Sequence, residues 1–299
     1  MIKLHYFAGN KNFGDALSPM LVDRLSGESV QWANPYQADM VAVGSVMYTG
    51  HWLFRDAEHN RKLRGRLSCL KMKLITRRQP IKVWGTGFME YPCVPARVAQ
   101  FRMIDVCALR GSVTHKILTD LGLLSAMANV VYGDPGLLYP TLLTSLPAKK
   151  YELGLMLHYF DKEAGRDIME ALARYGLRVT LIDAVSDNPM ETLVKIAECE
   201  TVLSSAMHGC IVADGFGIPN LPLFISSHGL SDRDYRLKYD DYYSAFGMSW
   251  PEPVRMTEVK DHTSMLASRI RGEYSVSKEL VARTQQKLTE SFPYRNNEE

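Results

Sequence analysis

The sequence has little cysteine and none of the spacings on which cysteine-dependent sites rely. It contains five cysteines in 299 residues, an odd number, and no CxxC pair is present. A disulfide framework and a structural zinc site are therefore not expected, and a reducing, cytoplasmic compartment fits best.

Long apolar runs and a strong excess of one charge are also absent. No apolar stretch reaches about 18 residues, and the first residues, MIKLHYFAG, lack the pattern of a signal peptide. We therefore expect neither a membrane-spanning helix nor a leader. A formal net charge of +2 gives no support for nucleic-acid binding. The hydrophobic fraction of 46% is enough for a sizeable core.

The sequence does have short apolar runs that alternate with segments of helical length. Most of the runs are nearly continuous, which is typical of strands buried on both faces of a parallel sheet. The predicted strands are 2–7, 40–43, 81–84, 105–109, 130–132, 153–157, 178–182, 201–203 and 221–224. The predicted helices are 16–25, with Asp15 as its cap, 113–121, with Ser112 as its cap, 164–175, 190–199 and 208–216. The alternation predicts a doubly wound α/β fold.

The length of the chain suits two units of about 100–150 residues each. The stretch 139–150, YPTLLTSLPAKK, holds two prolines and two lysines, and a fresh strand-helix series follows it. We therefore predict one Rossmann-like domain over 1–145 and a second over 146–299. A helical segment over 276–291 could cross back to the first domain.

Polar segments follow several of the predicted strands, where doubly wound folds bind their ligands. Each also has a plain explanation as a turn, a helix cap or a surface ion pair. These segments are GNKNFGD with Asn12, Gly14 and Asp15, WGTGF with Gly85, Thr86 and Gly87, LRGS with Arg110, YGDPG with Asp134, and LHY with His158.

The strongest single segment is SSAMHGCIVADGFGIP, which begins at the end of a predicted strand. Ser204 and Ser205 form a polar turn, and His208 falls in the first turn of the following helix. Because the N-terminus of a helix attracts anions, an imidazole there is well placed to meet one. We expect the active site to be built around His208.

Taken in order, six segments resemble the polysaccharide pyruvyl transferase family, and in particular the branch that adds pyruvate ketals to bacterial exopolysaccharides. The matching segments are NFGDALSP, VAVGS, VWGTGF, ALRGSVT, YGDPGLLYP and SSAMHGCIVADGFGIP. The resemblance implies a fold similar to GT-B, with two Rossmann-like domains facing a cleft. The first domain would lie on the acceptor side and the second on the donor side.

The resemblance also implies the reaction. Pyruvate would pass from phosphoenolpyruvate to two hydroxyls of a glycan sugar as a cyclic ketal, with release of phosphate and without a metal or bound cofactor. His208 would be the proton donor or a phosphate ligand, and Asp15 or Asp134 the base. Arg110 would bind an anion in bidentate fashion, and His158 and Lys238 match further polar positions of this branch. Ala206 stands where other members carry an arginine.

A basic stretch over 61–82 holds nine lysines or arginines and no acid, with leucines at helical spacing. Such a stretch could lie on an anionic membrane and meet a lipid-linked oligosaccharide acceptor at the inner face. A solvated basic helix face explains the same pattern.

Two other functions fit the same sequence. A GT-B glycosyltransferase would use a nucleotide sugar, but no clear acidic group for a ribose and no late diphosphate-binding basic pair is present. A non-catalytic glycan-binding relative would explain the alanine at Ala206. Release of phosphate from phosphoenolpyruvate, release of a nucleoside diphosphate, or binding without turnover would separate the three.

Overall fold

A computed structural model of the chain describes residues 1–9, 11–47, 54–56, 79–92, 98–100, 102–226, 229–261 and 265–295. Within these ranges it contains two parallel sheets with helices packed against them. The predicted α/β class is therefore confirmed. Most of the basic stretch 61–82 lies outside the described residues, and its last residues belong to a strand of the first sheet.

The first sheet is parallel, with strand order β2-β1-β3-β5-β7-β8. Its strands are β1 Ile2–His5, β2 Val30–Trp32, β3 Met40–Val41, β5 Ile81–Trp84, β7 Ile104–Leu109 and β8 Val131–Tyr132. β4, Phe54–Asp56, and β6, Val98–Gln100, form a separate antiparallel pair. The sequence did not predict β2, because this edge strand is largely exposed and has no continuous apolar run.

The second sheet is also parallel, with strand order β10-β9-β11-β12-β13. Its strands are β9 Tyr151–Leu157, β10 Val179–Asp183, β11 Cys199–Ser204, β12 Asn220–Phe224 and β13 Val254–Arg255. The chain thus passes from one sheet to the other between 132 and 151. The division into domains 1–145 and 146–299 stays a prediction.

Helices connect most of these strands, and all the predicted ones occur. They are α1 Phe13–Ser26, α2 Ser112–Asp120, α3 Lys162–Ala173, α4 Pro189–Ala197, α5 Met207–Gly215, α6 Asp232–Ser244, α7 Met256–Asp261, α8 Leu266–Glu273 and α9 Lys278–Glu290. Two 3-10 helices span Pro135–Leu142 and Tyr159–Asp161. The sequence did not predict α6, whose charged and tyrosine-rich composition gives no clear apolar stripe.

Two predicted helix caps are wrong. Asn12, not Asp15, caps α1, because its side chain accepts a hydrogen bond from the Gly14 amide and Asp15 already lies within the first turn. At α2 the capping position is Gly111, and Ser112 is the first helical residue. A glycine is needed there, since a Cβ atom on Gly111 would lie 1.7 Å from the Asp241 carbonyl oxygen.

Hydrogen bonds join the two halves of the chain at several places. At the start of α1, the Phe13 amide donates to the Ala184 carbonyl oxygen at 2.8 Å, just beyond β10. At the other end, the Trp84 indole donates to the Leu288 carbonyl oxygen of α9 at 3.0 Å, and its ring meets Phe292 edge-on. The start of α1 also packs directly on the start of α5, since a Cβ atom on Gly14 would lie 2.1 Å from the His208 ring.

Candidate functional site

A pocket of about 150 Å³ lies where the carboxyl ends of the two sheets meet. Its wall combines segments that follow strands of the first sheet with segments that follow strands of the second, which is the usual ligand position in doubly wound folds. The lining residues are Phe7, Asn12, Asp15, Ser45, Val46, Met89, Met156, His158, Tyr159, Ala184, Ala206, Met207, His208 and Lys238.

His208 lies in the first turn of α5, with 8% of its surface exposed. Its ring packs on the start of α1 so closely that a Cβ atom on Gly14 would lie 2.1 Å from the ring. The Nε2 atom has no hydrogen-bond partner among the described residues. Burial first, then the charges of Arg110 and Lys238, lower the pKa of His208 to about 3. The imidazole is therefore neutral at pH 7.

Lys238 projects from α6 into the same pocket and is buried. Its ammonium lies 5.2 Å from the ring centroids of Tyr235 and Tyr239, and it has no hydrogen-bond partner in the described part of the chain. Burial and the charge of Arg110 lower the pKa of Lys238 to about 8, against the opposing effect of Asp161. A buried cation with no counterion at hydrogen-bond distance favours an anionic ligand.

Two carboxyl groups lie at different depths beside these cations. Asp15 lines the pocket, whereas Asp134 lies behind the wall, where its Oδ1 accepts from the Gly136 amide at 2.8 Å. The Oδ2 atom of Asp134 has no partner among the described residues. Burial raises the pKa of Asp134 to about 6, and burial followed by the charge of Asp134 raises the pKa of Asp15 to about 8.

Arg110 is fully buried behind the pocket and does not line it. Its Nε donates to Asp241 at 2.8 Å, and its two terminal nitrogens donate to the Ser45 hydroxyl at 2.6 Å and the Phe88 carbonyl at 2.7 Å. Asp241 also accepts from the amide and hydroxyl of Thr114, each at 2.7 Å. Bidentate binding of a ligand by Arg110 would require these bonds to be exchanged.

Ser204 and Ser205 shape the turn between β11 and α5. The Ser204 hydroxyl donates to the Ala206 carbonyl at 2.7 Å and accepts from the Ala206 amide. The Ser205 hydroxyl donates to Asp161 at 2.7 Å and accepts from the His158 amide at 2.9 Å. These hydroxyls are therefore occupied by the protein, whereas His158 and Ala206 line the pocket.

The WGTGF segment supports the pocket from behind. Gly85 adopts a φ of +75°, which favours glycine. The Thr86 hydroxyl donates to the Gly44 carbonyl at 2.7 Å, and a Cβ atom on Gly87 would lie 2.6 Å from the guanidinium carbon of Arg110. None of the three residues lines the pocket.

Sequence reasoning did not single out Ser45, Asp161 or Asp241. Ser45 ends the segment VAVGS, which belongs to the family resemblance but carries no side chain with an implied role. Asp241 lies in the segment LKYDDYYSAFG beside Lys238, and the need of a buried arginine for an acid was a signal that could have identified it. Asp161 follows His158 by three residues, and nothing in the local sequence marks it as buried.

The parallel sheets and the pocket define an α/β protein with a pocket lined by a buried lysine and a buried histidine at the carboxyl ends of its strands. The family model named "Polysaccharide pyruvyl transferase" matches residues 11–226, and the chain belongs to that family. The predicted family is therefore confirmed, and membership supports a transferase that moves pyruvate onto a polysaccharide.

A relative with no assigned function was also found. The chain is 24% identical over 250 residues to the uncharacterized protein L143 of Acanthamoeba polyphaga mimivirus, covering 83% of this chain and 75% of the relative.

Among the described residues, no helix is long and apolar enough to cross a membrane.

Proposed function

We propose that the protein transfers pyruvate from phosphoenolpyruvate to two hydroxyls of one glycan sugar, forming a cyclic ketal and releasing phosphate, in exopolysaccharide biosynthesis. One observation carries the proposal. In this member of the family, the pocket combines a buried lysine, Lys238, with a buried imidazole, His208, whose Nε2 is unpartnered within the described residues. Phosphoenolpyruvate brings the phosphate and carboxylate charges that such a pocket lacks.

The positions of the cations support a donor site on the second half of the chain. Ala206 lines the pocket with only a methyl group where, by resemblance, other members carry an arginine. Lys238 and His158 line the same pocket, and Arg110 contributes its charge from behind. Lys238 thus replaces the missing arginine as the charge that binds the donor, and Asn12, Asp15 and Ser45 complete the wall from the acceptor half of a GT-B-like arrangement.

The chemistry requires a proton donor and a proton acceptor, but no metal or cofactor. The enol carbon C3 of the donor gains a proton, positive charge builds on C2, and a sugar hydroxyl attacks C2 as its proton leaves. His208 and Asp15 both line the pocket and both carry shifted pKa values, so each can serve in one of these roles.

Mass spectrometry of the product tests this function directly. The protein is incubated with phosphoenolpyruvate and lipid-linked or synthetic glycans, and both the ketal mass and phosphate release are followed. We expect His208→Ala to lower the rate by roughly 100-fold or more, as for a positioned acid or base. His115→Gln is the matched control, because His115 lies on α2 outside the pocket.

Two results would contradict the proposal. Release of a nucleoside diphosphate from a nucleotide sugar would make the protein a glycosyltransferase. Saturable binding of phosphoenolpyruvate without turnover on any acceptor would make it a non-catalytic relative.

The lipid carrier is a separate part of the proposal. The basic composition of 61–82 supports contact with an anionic membrane surface on the cytoplasmic side, where a lipid-linked acceptor would be presented. Co-sedimentation with anionic vesicles, compared with neutral vesicles, tests this contact. Equal recovery from both would contradict it.

A further inference from the structure

Asp15 and Asp134 form a pair of buried carboxyl groups that the structure places at the pocket and immediately behind it. Asp15 is 6% exposed and lies against the VGS turn, where a Cβ atom on Gly44 would be 2.4 Å from its Oδ1. Asp134 is fully buried, and its Oδ2 has no partner among the described residues. Neither carboxyl forms an ion pair in the described part of the chain.

The charges around this pair do not favour two carboxylates. The titratable and charged groups that share the pocket or its wall with Asp15 are His158, Tyr159, His208, Lys238, Arg110, Asp134, Tyr139 and Asp241. Arg110 is held by Asp241, and the Tyr139 hydroxyl donates to the Gly14 carbonyl rather than to either acid. Burial and the neighbouring acid therefore leave Asp15 as a carboxylic acid at pH 7.

We infer that Asp15 is the general acid that protonates the enol carbon, that Asp134 acts through Asp15 as a positioning residue that keeps this proton in place, and that neutral His208 is the base. The inference rests on the proposed function. It reverses the roles expected from the sequence, where the histidine was the proton donor and an aspartate the base.

With these roles, every proton and electron pair of the reaction has a donor and an acceptor. The Asp15 proton goes to C3, and the C2–C3 π electrons form the new C–H bond. The first sugar oxygen bonds to C2, and its proton passes to Nε2 of His208. The C2–O bond to phosphate breaks, the electron pair leaves with the phosphate, and His208 returns its proton to that phosphate. The second sugar oxygen then closes the ketal and gives its proton to Asp15, which restores the acid.

Titration of the ligand-free protein tests the proton-holding pair without any substrate. Infrared difference spectra between wild type and Asp15→Asn isolate the protonated carboxyl of Asp15, whose loss is followed as the pH rises. We expect a midpoint near pH 8. Asp134→Asn should move the midpoint down by about one pH unit or more, because it removes the like charge. Asp120→Asn, an exposed change on α2, should leave it in place.

Asn is chosen because its side-chain oxygen can still cap Gly136, as Asp134 Oδ1 does. Asp134→Ser is a second variant that keeps a capping oxygen and removes the charge. A midpoint for Asp15 near the ordinary aspartate value, or one that neither Asp134 variant moves, would overturn the inference.

The pH profile of turnover separates the two assignments of acid and base. If Asp15 is the acid, Asp134→Asn lowers the pH at which the turnover rate falls on the alkaline side. The maximal turnover rate at lower pH does not rise. If instead the reactive form has a protonated His208 and an ionised Asp15, lowering the pKa of Asp15 by one unit makes this form about ten times more abundant. The maximal turnover rate would then rise about tenfold, and that result would overturn the inference. Wild type could show the Asp15 titration near pH 8 and yet pyruvylate no glycan. The proposed function and the catalytic role of Asp15 would then both be wrong, and only the elevated pKa of Asp15 beside Asp134 would be supported.

Discussion

Two buried charged clusters lie side by side in this molecule and differ in how far the protein satisfies them. In the Arg110–Asp241 cluster, all three guanidinium nitrogens donate to protein oxygens, and Asp241 accepts from Arg110 and Thr114. In the adjacent pocket, His208 Nε2 has no partner among the described residues. Because buried polar groups are nearly always hydrogen-bonded, a satisfied cluster is typical of structure, whereas an unsatisfied group on the wall of a pocket favours a role in ligand contact.

Breaking the satisfied cluster should have the largest effect, and it should be on stability. We expect Asp241→Ala to lower the free energy of unfolding by about 3–5 kcal/mol, because it leaves the Arg110 charge buried and unpaired. Urea unfolding measures the change. The double variant Arg110→Met/Asp241→Leu should recover much of the loss. A cost of less than about 1 kcal/mol for the single change would mean that the cluster behaves like an exposed ion pair.

Disturbing the unsatisfied pocket should affect activity instead. In Gly14→Ala the new methyl group would lie 2.1 Å from the His208 ring, so the ring must move. We expect turnover to fall by about 100-fold, the usual cost of displacing a reacting group by an ångström. Gly272→Ala on α8 is the matched control, since its Cβ meets nothing within 4 Å. Normal turnover by Gly14→Ala would show that the reaction does not depend on the position of the His208 ring.

Lys238→Met should produce the smallest change of the three variants. It should weaken ligand binding and at the same time stabilise the fold. Calorimetry should record weaker phosphoenolpyruvate binding, by about tenfold. At pH 7 the variant should also be more stable, because burial disfavours the lysine charge. Since the folded pKa is about 8 and the unfolded one is near 10.5, wild type should gain stability as the pH rises between these values, and the variant should not. Lower stability of the variant at pH 7 would contradict the assignment.

The same contrast explains how much the sequence could predict. Buried parallel strands such as β5 and β9 are continuous apolar runs, and a local pattern is enough to find them. His208 could be found as well, because the strand-turn-helix around it is local. The edge strand β2 and the charged helix α6 have no such pattern, since their places depend on distant neighbours.

The roles of the charged residues could not be predicted for a related reason. Arg110 and Asp241 are 131 positions apart, so nothing in either segment shows that they saturate each other. Asp15 and His208 have ordinary pKa values until the fold buries them. Burial favours the uncharged form of each, and this exchanges the proton donor and acceptor that their side chains alone would suggest.

The contact between Trp84 and the last helix has a consequence for how the protein is made. All the strands of the first sheet have been synthesised once residue 132 is added, but the indole of Trp84 finds its acceptor only at Leu288 and its ring neighbour only at Phe292. For more than half of translation, this part of the first core stays uncovered. The packing around Trp84 is therefore completed only when the end of the chain is made, and a chain truncated before residue 288 would lack both contacts of this indole.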